Sequence, residues 1–159
     1  MKKIAFAALA SLCLATPAVA ADFAGPRVGV TVGIAGDDIF DTSATTFSLE
    51  AGYDWEFGEG AVIGVQADYQ DDFDGDYGHE FAATARVGGK VGETALVYVT
   101  GGYSRFDVGP FSLDGVRAGI GTEFNLGNSG ANLKVEQRYA NYELGGEVFQ
   151  TVVGVGYRF

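Results

Sequence analysis

From Arg27 to Phe159 the chain repeatedly alternates apolar and polar positions with a period of two. Val28, Val30, Val32 and Ile34 are apolar, and Arg27, Gly29, Thr31 and Gly33 are small or polar, which describes a strand with one greasy face. The alternation returns in Phe47, Leu49, Ala51, Tyr53, then in Ala61, Ile63, Val65, Ala67, Tyr69, and again in Phe81, Ala83, Ala85, Val87. It continues in Val97, Val99, Gly101, Tyr103, in Val116, Ala118, Ile120, Thr122, Phe124, and in Leu133, Val135, Gln137, Tyr139. The last run is Phe149, Thr151, Val153, Val155, Tyr157, Phe159. Turn-rich segments separate the runs: Gly36–Ala44, Glu56–Gly60, Asp71–Gly78, Gly88–Thr94, Arg105–Ser112, Asn125–Gly130 and Glu143–Gly146. The pattern predicts an all-β chain: eight strands and seven short connections in an antiparallel, up-and-down order. Strands of about ten residues cross a bilayer when tilted. The expected architecture is an eight-stranded transmembrane β-barrel with a polar interior filled by side chains.

Period two does not decide which face is inside. A soluble barrel turns its apolar face inward, and a membrane barrel is inverted. The polar faces carry Arg27, Glu50, Asp54, Asp68, Glu80, Arg86, Arg117, Glu123, Lys134, Glu136, Arg138 and Arg158, six acids and six bases. A neutral set suits a closed interior, because an unpaired buried charge is costly. A water-facing surface has no need to balance. An eight-stranded barrel is just wide enough for side chains to fill. If both termini face the periplasm, Phe47, Tyr69, Phe81, Tyr103, Phe111, Tyr139 and Phe149 fall near the outer rim. Tyr53, Trp55, Phe124, Tyr157 and Phe159 then fall near the inner rim. Two belts of rings with valine and alanine between them read as interface girdles.

The first twenty residues read differently. Lys2 and Lys3 precede an apolar run from Ile4 to Ala15, Pro17 breaks it, and Ala18-Val19-Ala20 supplies small residues for cleavage. Residues 1–20 therefore read as a secretory signal peptide cut after Ala20, with residues 21–159 as the barrel. A membrane anchor is the rival reading, and the apolar core is short for it. Leu12 precedes Cys13 where a lipidated cysteine would need a small residue. The processed chain would hold no cysteine, so no disulfide, thiol nucleophile or thiolate metal site. It would hold eight bases against 21 acids, a net charge of −13.

With the interior neutral, that charge projects from the rims. The outer connections carry Asp37, Asp38, Asp41, Asp71, Asp72, Asp74, Asp76, Asp107, Asp114, Glu143 and Glu147 against Arg105. The periplasmic side carries Asp22, Glu56, Glu59 and Glu93 against Lys90. Such acidity excludes a nucleic-acid partner. The 25 glycines run along the whole chain, and each would cost a helix about 1 kcal/mol relative to alanine.

Gly52-Tyr53-Asp54-Trp55 followed by Ile63-Gly64-Val65-Gln66-Ala67-Asp68 resembles the "GYxW…GVExD" hairpin of small Gram-negative outer-membrane β-barrel proteins. These are the opacity or porin-family barrels, OmpA-like and of alphaproteobacterial type. Leu133–Tyr139 resembles their "LKxEYxY" strand, with Gln137 in place of the usual aromatic. Val153, Val155, Tyr157 and Phe159 resemble the terminal signal read by the outer-membrane assembly machinery. The resemblance implies an outer-membrane location, a role in envelope integrity and, for some members, a pore. It implies no single shared activity.

Candidate chemistry is sparse. Some eight-stranded barrels deacylate or acylate lipid A with a His-Ser pair on the outer face. Here His79 is the one histidine, and Ser104 on the next strand is the nearest serine. Asp72, Asp74 and Asp76 resemble half of a calcium loop, but Tyr77 and Ala83 stand where an EF-hand would place glycine and glutamate. A solvated acidic tip is the plainer reading. The expectation is a monomeric, non-enzymatic structural barrel without cofactor. A small pore for ions or solutes is the alternative, and a lipid A-modifying enzyme is the more distant one. Its expected partners are outer-membrane lipid and lipopolysaccharide, with the assembly machinery and periplasmic chaperones during biogenesis. Acidic loops beside anionic lipopolysaccharide repel it unless divalent cations bridge the two. Chelator is therefore expected to lower the unfolding temperature of the barrel in lipopolysaccharide, and an unchanged temperature would remove the bridging idea.

Overall fold

The structure is a computed structural model and describes residues 23–37, 42–73, 78–143 and 146–159. The expected leader and the candidate ligands Asp74 and Asp76 lie outside the described residues. Eight strands follow in chain order: β1 (Gly25–Asp37), β2 (Thr42–Phe57), β3 (Ala61–Asp72), β4 (His79–Val91), β5 (Ala95–Val108), β6 (Phe111–Asn125), β7 (Ala131–Tyr142) and β8 (Gly146–Arg158). Each pairs antiparallel with its chain neighbour, and β1 pairs with β8 to close the barrel. Closure removes both sheet edges, so no row of backbone donors and acceptors is left facing hydrocarbon.

The register fixes the size of the barrel. Directly paired residues lead from Arg27 through Gly52, Gln66, Thr84, Gly102, Arg117, Ala140 and Val148 back to Asp37 on β1, a stagger of ten residues. Eight strands with that stagger tilt by ~40° and enclose a cylinder of radius ~8 Å. So narrow a tube has no room for bulk water once arginine and glutamate side chains point inward.

The strands run 12 to 16 residues, longer than the ten expected, and the connections shrink to between two and six residues. The expected connection Arg105–Ser112 is mostly paired: Arg105 faces Asp114 and Asp107 faces Ser112, leaving Gly109 and Pro110 as the turn. Gly109 takes φ 58°, the left-handed conformation that such a turn requires. Hydrophobic alternation stops where the apolar band stops. Backbone pairing continues past it, because every N–H and C=O gains a partner wherever the hairpin can extend.

Parity divides the side chains as the alternation predicts. Val30, Val32 and Ile34 of β1 point out and are exposed, as are Ile63 and Val65 of β3, and Val153 and Val155 of β8. The charged positions of the opposite parity are buried. The barrel is thus inside-out relative to a soluble one, the arrangement that a lipid surround demands. Rings meet within the belts: Tyr53 with Trp55 at 4.8 Å, Tyr139 with Phe149 at 4.9 Å, and Tyr157 with Phe159 at 5.0 Å between centroids. Phe149 and Tyr157 stand eight residues apart on β8. That span gives ~20 Å of height at this tilt, close to the ~25 Å apolar band of outer-membrane barrels. The one apolar cluster among the described interior residues (Phe23, Val62, Leu96 and Tyr98) sits at the mouth that carries both termini. A closed barrel with this outer face should resist detergent, so unheated protein is expected to migrate apart from boiled protein on a detergent gel. Identical migration would point to a soluble fold.

Candidate functional site

Period two in the strands puts every second side chain into the lumen, and the narrow radius makes those side chains meet across it. All twelve sequence-predicted interior charges are buried, none more than 6% exposed. They fall into two clusters stacked along the barrel.

The cluster nearer the termini is built on Asp54 of β2. Its Oδ2 accepts hydrogen bonds from Arg27 Nε (2.9 Å), Arg86 Nη2 (2.5 Å) and Arg158 Nη1 (2.7 Å), and its Oδ1 accepts one from Arg86 Nε (2.8 Å). The two bonds from Arg86 make the fork geometry that guanidinium and carboxylate favour. Glu123 of β6 closes the ring, accepting from Arg86 Nη1 (2.9 Å) and Arg158 Nη2 (2.6 Å). Three arginines against two carboxylates leave one excess positive charge.

The second cluster holds four acids and three bases. Glu50 accepts from Lys134 Nζ and from Arg138 Nη2 (2.7 Å). Glu136 accepts from Arg138 Nε (2.8 Å). Arg117 Nη2 donates to Asp68 (2.5 Å) and Arg117 Nη1 to Glu80 (3.3 Å), and Gln66 also donates to Asp68 (2.6 Å). The excess negative charge here offsets the positive one below, and the twelve sum to zero. Neutrality is therefore reached across the stack rather than within each layer.

Tyr98 of β5 joins the layers. The Arg86 guanidinium lies 4.9 Å over its ring, and its hydroxyl donates to Glu136 (2.7 Å). Toward the loops the network turns neutral. Ser104 donates to Glu80 and shares a 3.0 Å hydrogen bond with the Tyr142 hydroxyl. Gln150 donates to Thr46 (2.7 Å) and to Gln70 (2.8 Å). Between the ionic layers a space of about 10 Å³ remains, lined by Arg27, Thr31, Glu50, Glu123, Asn132 and Lys134. It is about the room that one water needs.

Inward glycines make this density possible. A methyl group on Gly64 would stand 1.9 Å from Asp54 Oδ1, and one on Gly121 would stand 2.6 Å from the Tyr98 ring. Both positions face the lumen, Gly64 against the acid that centres the lower cluster and Gly121 against the Tyr98 ring. Gly101 has the other parity, and a methyl there would meet nothing within 4 Å.

Beyond the twelve charges, the network takes in neutral side chains that the sequence reading does not assign to it, among them Tyr98, Ser104, Tyr142 and Gln150. Tyr98 was legible in part, as the large residue on a polar face otherwise made of threonine and glycine. The alternation alone assigns Asp72 to an outer connection. It is buried at the loop end of β3 because pairing carries that strand further than its apolar alternation. His79 and Ser104 are not brought together. His79 is half exposed with Nε2 3.6 Å from Asp107 Oδ2, while Ser104 is buried on the lumenal side of the wall. Among the described residues no three His, Cys, Asp or Glu side chains converge as a metal site.

The family model described as "Outer membrane protein beta-barrel domain" matches residues 4–159. No curated protein sequence matches the chain. Solved structures share the fold at low identity. The N-terminal β-barrel domain of Pseudomonas aeruginosa OprF is 15% identical with a TM-score of 0.61, over 86% of this chain and 99% of that one. Neisserial surface protein A is 12% identical with a TM-score of 0.56, over 84% and 96%. The outer membrane enzyme PagL is 15% identical with a TM-score of 0.53, over 82% and 99%.

Two substitutions of equal size test the packing of the ionic layer. Gly64→Ala must push Asp54 off its arginines and is expected to cost about 1–3 kcal/mol in denaturant unfolding from micelles. Gly101→Ala is expected to change little. Asp54→Ala, which leaves Arg27, Arg86 and Arg158 to the single carboxylate of Glu123, is expected to cost about 3–5 kcal/mol.

Proposed function

This chain belongs to the outer membrane protein β-barrel domain family, and on that premise we propose that it is a structural protein of the Gram-negative outer membrane, without catalysis or a standing channel. One observation carries the reading. The lumen is spanned by paired charges from the terminal mouth to the middle of the barrel, and the space described among them fits about one water. Opening a path for ions would break several buried pairs, each at a cost of about 3–5 kcal/mol. What the protein offers its surroundings is then its outer wall, girdled by aromatic rings, and short acidic loops. The wall anchors it in lipid. The loops are suited to lipopolysaccharide through bridging divalent cations, and the whole contributes to envelope integrity as a monomer.

Biogenesis follows from the two chain ends. The leader directs export and is removed after Ala20. Periplasmic chaperones keep the unfolded chain soluble, and the assembly machinery reads Val153, Val155, Tyr157 and Phe159. Val153 and Val155 are exposed on the outer wall, with the Tyr157 and Phe159 rings at its rim. A lipid A-modifying role draws no support from the one candidate pair, since His79 and Ser104 stand on opposite sides of the wall.

Planar-bilayer recording tests the reading. Refolded wild type is expected to give no reproducible unitary current, and Glu136→Ala, which removes the carboxylate that Arg138 Nε and the Tyr98 hydroxyl donate to, is expected to give intermittent leak. Stable single-channel steps from wild type would make the small-pore reading correct instead.

A further inference from the structure

The mouth that carries both termini is closed by a residue outside the barrel wall. Phe23 precedes β1, yet its side chain is fully buried. It packs with Val62 of β3 and with Leu96 and Tyr98 of β5, all pointing inward at the same end. The Phe23 carbonyl accepts a hydrogen bond from Arg158 Nη1 (2.7 Å). Two cations lie against its ring, with the Arg158 guanidinium 5.6 Å and the Lys90 ammonium 5.8 Å from the centroid. Lys90 also bridges to Glu56 (2.5 Å) across the mouth.

These contacts share one feature. Arg158 donates through the same Nη1 to Phe23 and to Asp54, so the seat of the ring is wired to the centre of the lower ionic cluster. Val62 and Leu96 form, with Tyr98, the apolar collar in which the Phe23 ring sits, next to the arginines of the lower ionic cluster. A benzene ring in that collar covers the arginines from the aqueous side and keeps their surroundings poorly hydrated, which strengthens each pair.

We propose that Phe23 is a stopper: from its place two residues ahead of β1 it turns into the terminal mouth, seats its ring on Val62, Leu96 and Tyr98, and shuts water and solutes out of the Asp54 cluster. The device goes beyond the structural reading and does not depend on it, because a pore could carry the same stopper.

Residues 21–159 contain no cysteine, so a single thiol can report on the collar. Val62→Cys, refolded in micelles and checked for its heat-dependent gel shift, is expected to react slowly with a small charged methanethiosulfonate reagent. Adding Phe23→Ala is expected to raise the rate by about tenfold or more, since the collar then opens to water without global unfolding. Phe23→Leu should restore the slow rate. Equal rates with and without Phe23 in folded protein would overturn the proposal. A second measurement leaves the stopper in place. With Trp55→Phe and Phe23→Trp, the lone indole is expected to be shielded from aqueous acrylamide in the folded barrel, and quenching as fast as in unfolded chain would also overturn it.

Discussion

Asp54 receives hydrogen bonds from three arginines on three different strands, and the terminal half of the barrel is organised around that carboxylate. A lone carboxylate in this place would be unsupportable, and so would any of the arginines alone, because a buried charge without a partner loses its hydration and gains nothing in return. The demand propagates outward. Glu123 must be present to satisfy the second faces of Arg86 and Arg158. Glycine must stand at position 64 to leave room for the acid. The excess positive charge must be answered by the four-acid layer above. Each layer is explicable only with its neighbour.

The closure of the backbone sets the scale on which this works. Eight strands with a stagger of ten residues leave a lumen that arginine, glutamate and tyrosine side chains can span. A wider tube would hold water between the same groups and weaken every pair through a higher dielectric. A narrower tube would exclude the guanidinium groups. Small inward residues such as Gly64, Gly102 and Gly121 tune the local width, so that large and small side chains alternate around the wall. Among the described residues the same wall presents mostly apolar and aromatic side chains to the middle of the lipid band, with a few uncharged polar ones. One such pair is Thr151 and Gln137, which satisfy each other at 2.7 Å.

Stability and function are linked through this packing. A lumen filled with paired charges braces the barrel wall from inside and, on the proposed reading, leaves no standing path for ions. What remains available for interaction is the outer wall and the two rims. At the loop rim Asp107 takes hydrogen bonds from Arg105 and Ser112, and Asp114 from Tyr103, so part of the acidic crown is already engaged within the chain. At the terminal mouth the Phe23 ring sits between Arg158 and Lys90, and Lys90 is itself engaged by Glu56.

Much of this was legible without coordinates. Alternation with period two fixed the number of strands, their order, and which residues share a face, since a strand places successive side chains on opposite sides regardless of what surrounds it. Charge balance then told the inner face from the outer, because only a closed interior requires its acids and bases to cancel. Partner choice was not legible. Lys134 meets Glu50 across 84 residues of chain and Arg158 meets Asp54 across 104, and any of the six bases could have balanced any of the six acids. The stagger of the strands decides which of them stand level, and it emerges only when the eighth strand pairs with the first. Strand length, the inward burial of Asp72 and the seating of Phe23 belong to the same class. They depend on how far hairpins can pair and on what lies across the lumen, neither of which is written in the local alternation of residues.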